Sequence, residues 1–122
     1  PTKFCNNGSS AAFSLHIDDQ LYTANVGDSR AILVRKDGSI IPLTRDHKPT
    51  TPDICSEIKA KGGTVAYYLY SQRVNRILAI GRAFGDFHLT NAKGHKVISC
   101  EPEVFVTLFN PGDICLLACD GL

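Results

Sequence analysis

Two aspartates stand where a carboxylate can do chemistry. Asp28 follows an apolar run ending at Val26 and sits between Gly27 and Ser29, while Asp120 follows the apolar run 114–119 and precedes Gly121. Each is delivered by a tight turn at the end of a core strand. A carboxylate in that position is costly to desolvate unless it is paired or bound to a cation. Magnesium and manganese prefer oxygen ligands of this kind. Taken singly, either aspartate reads better as a turn residue, the place where Asp commonly sits, and physics alone does not overturn that for the pair.

Other residues offer chemistry with a plainer alternative beside it. Asp46-His47-Lys48-Pro49 could supply a general base, but a histidine beside a proline turn reads as an exposed loop residue. His16, His88 and His95 have no metal-ligand spacing. In the stretch 81–86, Arg82 could meet a phosphate, and an Arg–Asp pair bracing the turn is an equal reading. Gly62-Gly63 lacks the spacing of a phosphate-cradling loop.

The elements that must position these groups are mostly strands. Partial alternation over 11–17 and β-formers over 21–26 predict two strands, and 31–35 and 39–43 predict two more around the hairpin signal Asp37-Gly38. Together they read as an antiparallel meander. Residues 1–10 read as a flexible lead-in or turn. Thr51 is placed as an N-cap with Pro52 at the first helical position and Asp53 in the first turn. Ile54 and Ile58 then share one helix face, and Gly62-Gly63 stops the helix. Residues 64–70 read as β-rich, their three tyrosines as half-buried packing. Strands are further expected over 77–80, 97–100, 104–109 and 114–119, with a turn or short helix at 81–86 and a loop at 87–96. The run 114–119 is almost continuously apolar, which predicts a strand covered on both faces.

Composition bounds the function. With 122 residues, 43% hydrophobic and 20% charged, the chain can build a core and is not bulk-disordered. A formal charge of +1 argues for neither a nucleic-acid nor an anionic-membrane partner. No apolar stretch approaches the roughly 18 residues of a membrane-spanning helix, and no secretory leader is visible. The five cysteines, Cys5, Cys55, Cys100, Cys115 and Cys119, are odd in number and without CxxC spacing. They favour neither a disulfide framework nor a zinc site and suit a reducing, intracellular setting, cytoplasmic or nuclear. On a strand Cys115 and Cys119 share a face as small hydrophobes. A chain starting at Pro1 without methionine is expected to be processed or part of a longer protein.

Five motifs in order carry a family resemblance. Ala24-Asn25-Val26-Gly27-Asp28-Ser29-Arg30 resembles the ANVGDSR signature of the type 2C metal-dependent protein serine/threonine phosphatases. Thr44-Arg45-Asp46-His47-Lys48-Pro49 is similar to the DHKP turn that follows it. Gly62-Gly63, Arg73-Val74-Asn75 and the stretch 78–86 resemble the family's GG, RVN and LAVSRAFGD segments, Glu101-Pro102-Glu103-Val104 its PEV strand, and the stretch 117–122 the opening of its DGLWD block.

The resemblance implies an α+β fold, a central antiparallel β-sandwich with flanking helices, present here only in part over residues 1–122. It implies a two-metal centre of magnesium or manganese, with a third metal position, that activates water against phosphoserine or phosphothreonine of protein substrates. Asp120 is carried over as a metal ligand and Asp28 as a ligand of the third position; no catalytic residue is carried over. Residues 49–72 correspond to a flap beside the site. The family's N-terminal DGHGG motif and C-terminal DN motif are absent from these residues. Gly81 replaces a usual serine, Arg76 stands where glycine is common, and 66–71 looks like an insertion. These departures lead to two expectations. The chain alone has little or no activity and either self-associates or travels with the rest of its domain; and the parent is a phosphatase or, alternatively, a catalytically silent regulatory module.

Overall fold

A computed structural model describes residues 6–121. In chain order the strands are β1 (Gly8–Ser9), β2 (Ala11–Ile17), β3 (Gln20–Val26), β4 (Arg30–Val34), β5 (Ile40–Pro42), β6 (Val65–Tyr68), β7 (Ser71–Val74), β8 (Phe84–Gly85), β9 (Glu103–Leu108) and β10 (Ile114–Ala118). One helix, α1 (Pro52–Ala60), lies between β5 and β6. Residues 1–5, with Cys5 and half of the expected lead-in, and Leu122 lie outside the described residues.

Two three-stranded antiparallel sheets form the body, in the orders β2-β3-β9 and β10-β4-β5. Alternation sets their shared interior: Leu21, Ala31, Leu33 and Leu43 are buried together, with Ile41, Phe109 and Cys115 packed against them. The expected α+β class with an antiparallel sandwich is therefore what the chain builds, with α1 the one helix among the described residues.

The single meander is corrected. Strands β2 and β3 pair from Ala11↔Val26 to Ile17↔Gln20, but the chain then changes sheets at Gly27–Ser29 rather than continuing beside β3. The third partner in each sheet comes from far along the chain: Gln20 pairs Leu108, and Val34 pairs Ile114.

A second core lies under α1, where Ile54 and Ile58 pack with Val74, Ala83, Leu89, Val97 and Ile98. The helix begins as the sequence predicts, with Thr51 extended and Pro52 in the first turn, although the Thr51 hydroxyl caps nothing. It ends where Gly62 takes φ 78 and Gly63 N–H donates to Ile58 O at 2.9 Å.

Four further expectations are revised by packing. Residues 77–80 do not form a strand: Asn75 and Arg76 have φ 48 and 62, so the chain turns there, and β7 takes the pairing with β6 instead. Residues 97–100 form no strand: Ser99 makes an isolated bridge to Arg82, Val97 N–H donates to Leu89 O at 3.0 Å, and Val97 and Ile98 are buried from a loop. Gly8–Ser9 is not a loose lead-in but pairs with Phe84–Gly85. Tyr67 and Tyr70 are 71% and 94% exposed, and Tyr68 is half exposed, because the β6–β7 hairpin carries its tip away from both cores.

Strand β10 is not covered on both faces. Its neighbour on one side is β4, and Ile114 and Leu116 are exposed on the outer face beside Ile32 and Val34. The other sheet has a matching apolar exterior in Phe13, Leu15, Tyr22, Val104 and Val106. Apolar side chains thus project from both faces of both sheets, as in sheets built to be covered on both sides.

Candidate functional site

The site grows from the sheet-crossing turn. Gly27 has φ 102, and a Cβ there would come within 2.5 Å of Ser10 Cβ, so glycine serves both the backbone and the close approach. The turn is fastened on each side. Gly27 N–H donates to His47 Nδ1 at 3.0 Å, His47 N–H donates to Gly27 O at 2.9 Å, and Asn25 Nδ2 bridges Gly27 O and Arg45 O at 3.2 and 2.9 Å. The Ser29 and Ser10 hydroxyls lie 2.7 Å apart.

Asp120 reaches the same place from the other direction. Register sets Ala118 opposite Arg30, so continuing β10 forward and β4 backward brings Asp120 and Asp28 to one end of the sheet. Both line a cavity of about 250 Å³ together with Arg30, Asp46, Lys48, Ala118 and Cys119. None of the lining residues comes from 49–72.

The charges in this cavity are unevenly partnered. Asp28 is ion-paired with Lys48. Arg30 holds Asp46 through two hydrogen bonds of 2.9 Å, and this bond keeps the Asp46 carboxyl below its ordinary pKa despite partial burial. Asp120 has no hydrogen bond or ion pair among the described residues.

The donors fit a hard divalent cation in kind, since they are carboxylate oxygens gathered at one mouth. Their number is smaller than such an ion takes: among the described residues no three His, Cys, Asp or Glu side chains group closely enough to hold a metal. Asp28 and Asp120 can therefore contribute to a metal centre but do not complete one.

His47 is the residue that sequence reasoning misplaced. It is neither an exposed loop residue nor a base facing the cavity; it is fully buried. Because Nδ1 accepts from Gly27 N–H, the neutral ring carries its proton on Nε2, 3.4 Å from Glu103 Oε2. Burial and the nearby Arg82 push its pKa below the ordinary value, partly opposed by Glu103. The His47 carbonyl also accepts from Gly81 N–H at 2.6 Å. One histidine thus ties together the Asp28 turn, the 44–49 segment and the Gly81 loop. The local sequence carries no apolar pattern that announces this burial.

Arg82 is also re-placed. It neither lines the cavity nor pairs with Asp86; it holds Glu57 of α1 at 2.9 and 3.1 Å and donates to Glu101 O at 3.2 Å. Burial works to raise the Glu57 pKa, but bonds from Lys61 and Arg82 bring it below the ordinary value. At Gly81, a Cβ would fall 2.1 Å from Ile54 Cγ2, so the glycine has a packing reason.

Comparison with known proteins now bears on this arrangement. The family model described as protein phosphatase 2C matches residues 3–122. The chain is 43% identical over 122 residues to a probable protein phosphatase 2C 24 of Arabidopsis thaliana, covering 99% of the chain and 32% of that protein. It is 42% identical over 123 residues to a probable protein phosphatase 2C 49 of Oryza sativa subsp. japonica, covering 28% of that protein. Among solved structures it superposes on the serine-threonine phosphatase 2C from Toxoplasma gondii with a TM-score of 0.74 at 27% identity, over 94% of this chain and 42% of the other. A phosphatase from a pathogenic strain of the same organism gives 0.73 at 38% identity, over 84% and 31%. The chain spans about a third or less of the curated relatives it matches. With its sheet-crossing aspartate, its sandwich and its ordered motifs all accounted for, this chain belongs to the protein phosphatase 2C family.

Proposed function

We propose that the protein carrying this chain hydrolyses phosphoserine and phosphothreonine in protein substrates at a magnesium or manganese centre to which Asp120 and Asp28 contribute ligands. The observation that carries the reading is the cavity in which two strand-end aspartates, distant in sequence, meet within a chain of this family. When bound, such ions lower the pKa of a water and offset charge on the phosphoryl oxygens. The chain's own residues supply position. His47, Asn25 and Arg45 hold the turn that aims Asp28, and β10 delivers Asp120 free of competing bonds. Residues 49–72, comprising α1 and β6, serve as the flap that governs substrate access.

Because only two carboxylates of the proposed centre lie in these residues, the chain alone turns over little substrate. The test is manganese-dependent release of phosphate from a phosphothreonine peptide by the full-length protein. Loss of that release in Asp120→Asn supports the reading, and no turnover with either metal in the folded protein refutes it. A catalytically silent regulatory member, motivated by Gly81 in place of serine, draws less support because Ile54 fills the space a side chain would need.

A further inference from the structure

The two aspartates at the cavity are not equivalent. Asp28 Oδ2 receives the ammonium of Lys48, whereas Asp120 has no such partner among the described residues. Lys48 cannot leave by backbone movement. The residue before it is bonded to Gly27 O through its N–H and to Gly81 N–H through its carbonyl, and Pro49 after it is fully buried. Only its four-carbon stem is free to swing. The Lys48 side chain is 40% exposed against 20% for Asp28, so the ammonium can move to solvent while the carboxylate stays. Arg30 is held facing Asp46 through Nε and Nη2 and makes no hydrogen bond to Asp28.

We propose that Lys48 is a built-in competitor for the cation position at Asp28, so that a divalent ion reaches this carboxylate only by displacing the Lys48 ammonium. The inference rests on the reading of Asp28 as a metal ligand. An ammonium and a divalent ion cannot share one carboxylate without repulsion at close range. The metal's apparent affinity at Asp28 is therefore lowered by the worth of a partly exposed ion pair, about fivefold.

The test is Mn²⁺ binding to the purified full-length protein, followed by electron paramagnetic resonance of the free ion without substrate. The relevant site is the one that Asp28→Asn removes. Lys48→Met, which keeps the stem and removes the charge, is expected to tighten that site about fivefold; Lys48→Arg keeps the wild-type affinity. In the Lys48→Met, Asp28→Asn double variant the gain disappears. Unchanged affinity in Lys48→Met, or a gain that survives in the double variant, overturns the competition. If Asp28→Asn leaves Mn²⁺ binding as in wild type, the reading of Asp28 as a ligand fails, and the inference with it. Lys48→Gln provides a second neutral variant should Lys48→Met lose its circular-dichroism signature of folding.

Discussion

Replacing His47 by leucine in the full-length protein removes the acceptor that Gly27 N–H uses at 3.0 Å, in a place with no exposure to water. Leucine is apolar and of similar bulk, so the packing cost is small. The main cost is the orphaned buried N–H, about 1–3 kcal/mol. Glu103 adds little, because it keeps both bonds to Arg45 at 2.8 and 3.2 Å. We expect a loss of about 2 kcal/mol, read as a fall of about 1 M in the urea midpoint. His47→Asn places an amide oxygen near the former Nδ1 and should recover much of that loss. The pH dependence gives a second reading. The folded pKa of His47 lies below the unfolded value of about 6.5, so its contribution is present above that pH and is lost as pH falls through the folded pKa. This adds at most about 1.4 kcal/mol per pH unit to acid destabilisation. The paired carboxylates Asp46, Asp53, Glu57 and Glu103, whose pKa values are all lowered, act in a lower window, below about pH 4. The His47→Leu variant should lose the upper slope and keep the lower one. A neutral leucine variant, or an asparagine variant no better than leucine, would refute the role assigned to Nδ1.

Four other outcomes follow from the same geometry. Asp120→Asn should cost metal-dependent turnover more than the roughly 10–100-fold typical of an outer-shell partner, with an unchanged melting temperature in metal-free buffer because the side chain makes no bond among the described residues; a shifted metal-free melt would count against its being free. Arg76→Gly should stabilise by about 1 kcal/mol in chemical denaturation, since φ 62 strains any residue with a Cβ, and a destabilised variant would mean that the arginine contributes contacts. Gly81→Ser should destabilise by about 1–3 kcal/mol through the contact with Ile54, and Ile54→Ala should no longer suffer that penalty in the double variant; equal penalties in both backgrounds would exclude Ile54 as the cause. The chain of residues 1–122 alone should bind a hydrophobic dye and sediment as an associated species, because Phe13, Leu15, Val104, Ile114 and Leu116 face water, whereas a stable monomer would contradict this.

Local chemistry made most elements legible. The strands β2, β3, β4, β5, β9 and β10 lie within a residue or two of where alternation and turn residues put them, and Pro52, Asp53 and the Ile54–Ile58 spacing were enough to find α1. What failed was what depends on partners. Short apolar runs such as 77–80 and 97–100 look like strands, but Leu78, Val97 and Ile98 fill a core from turns and loops, and period alone cannot distinguish these cases. Nothing local tells β10 that its outer face stays exposed among the described residues. At the site, the two aspartates were visible as strand-end carboxylates, and their meeting needed register. His47 was invisible because its burial comes from three segments converging on one ring. Arg82 was misassigned because Glu57, its partner, sits on the helix far upstream.

The pairing pattern also sets the order in which this fold can be made. Strand β3 waits for β9 and strand β4 waits for β10, so the first half of the chain leaves the ribosome with two open sheet edges and neither closing strand yet synthesised. Contacts of such long sequence separation slow folding, because loop closure must come before they reward it. During that interval the nascent chain presents unpaired backbone and apolar side chains together, the combination that recruits chaperones or leads to misassembly. Asp28 and Asp120 come together only with the last of these pairings, so the cavity they line is among the final features to form.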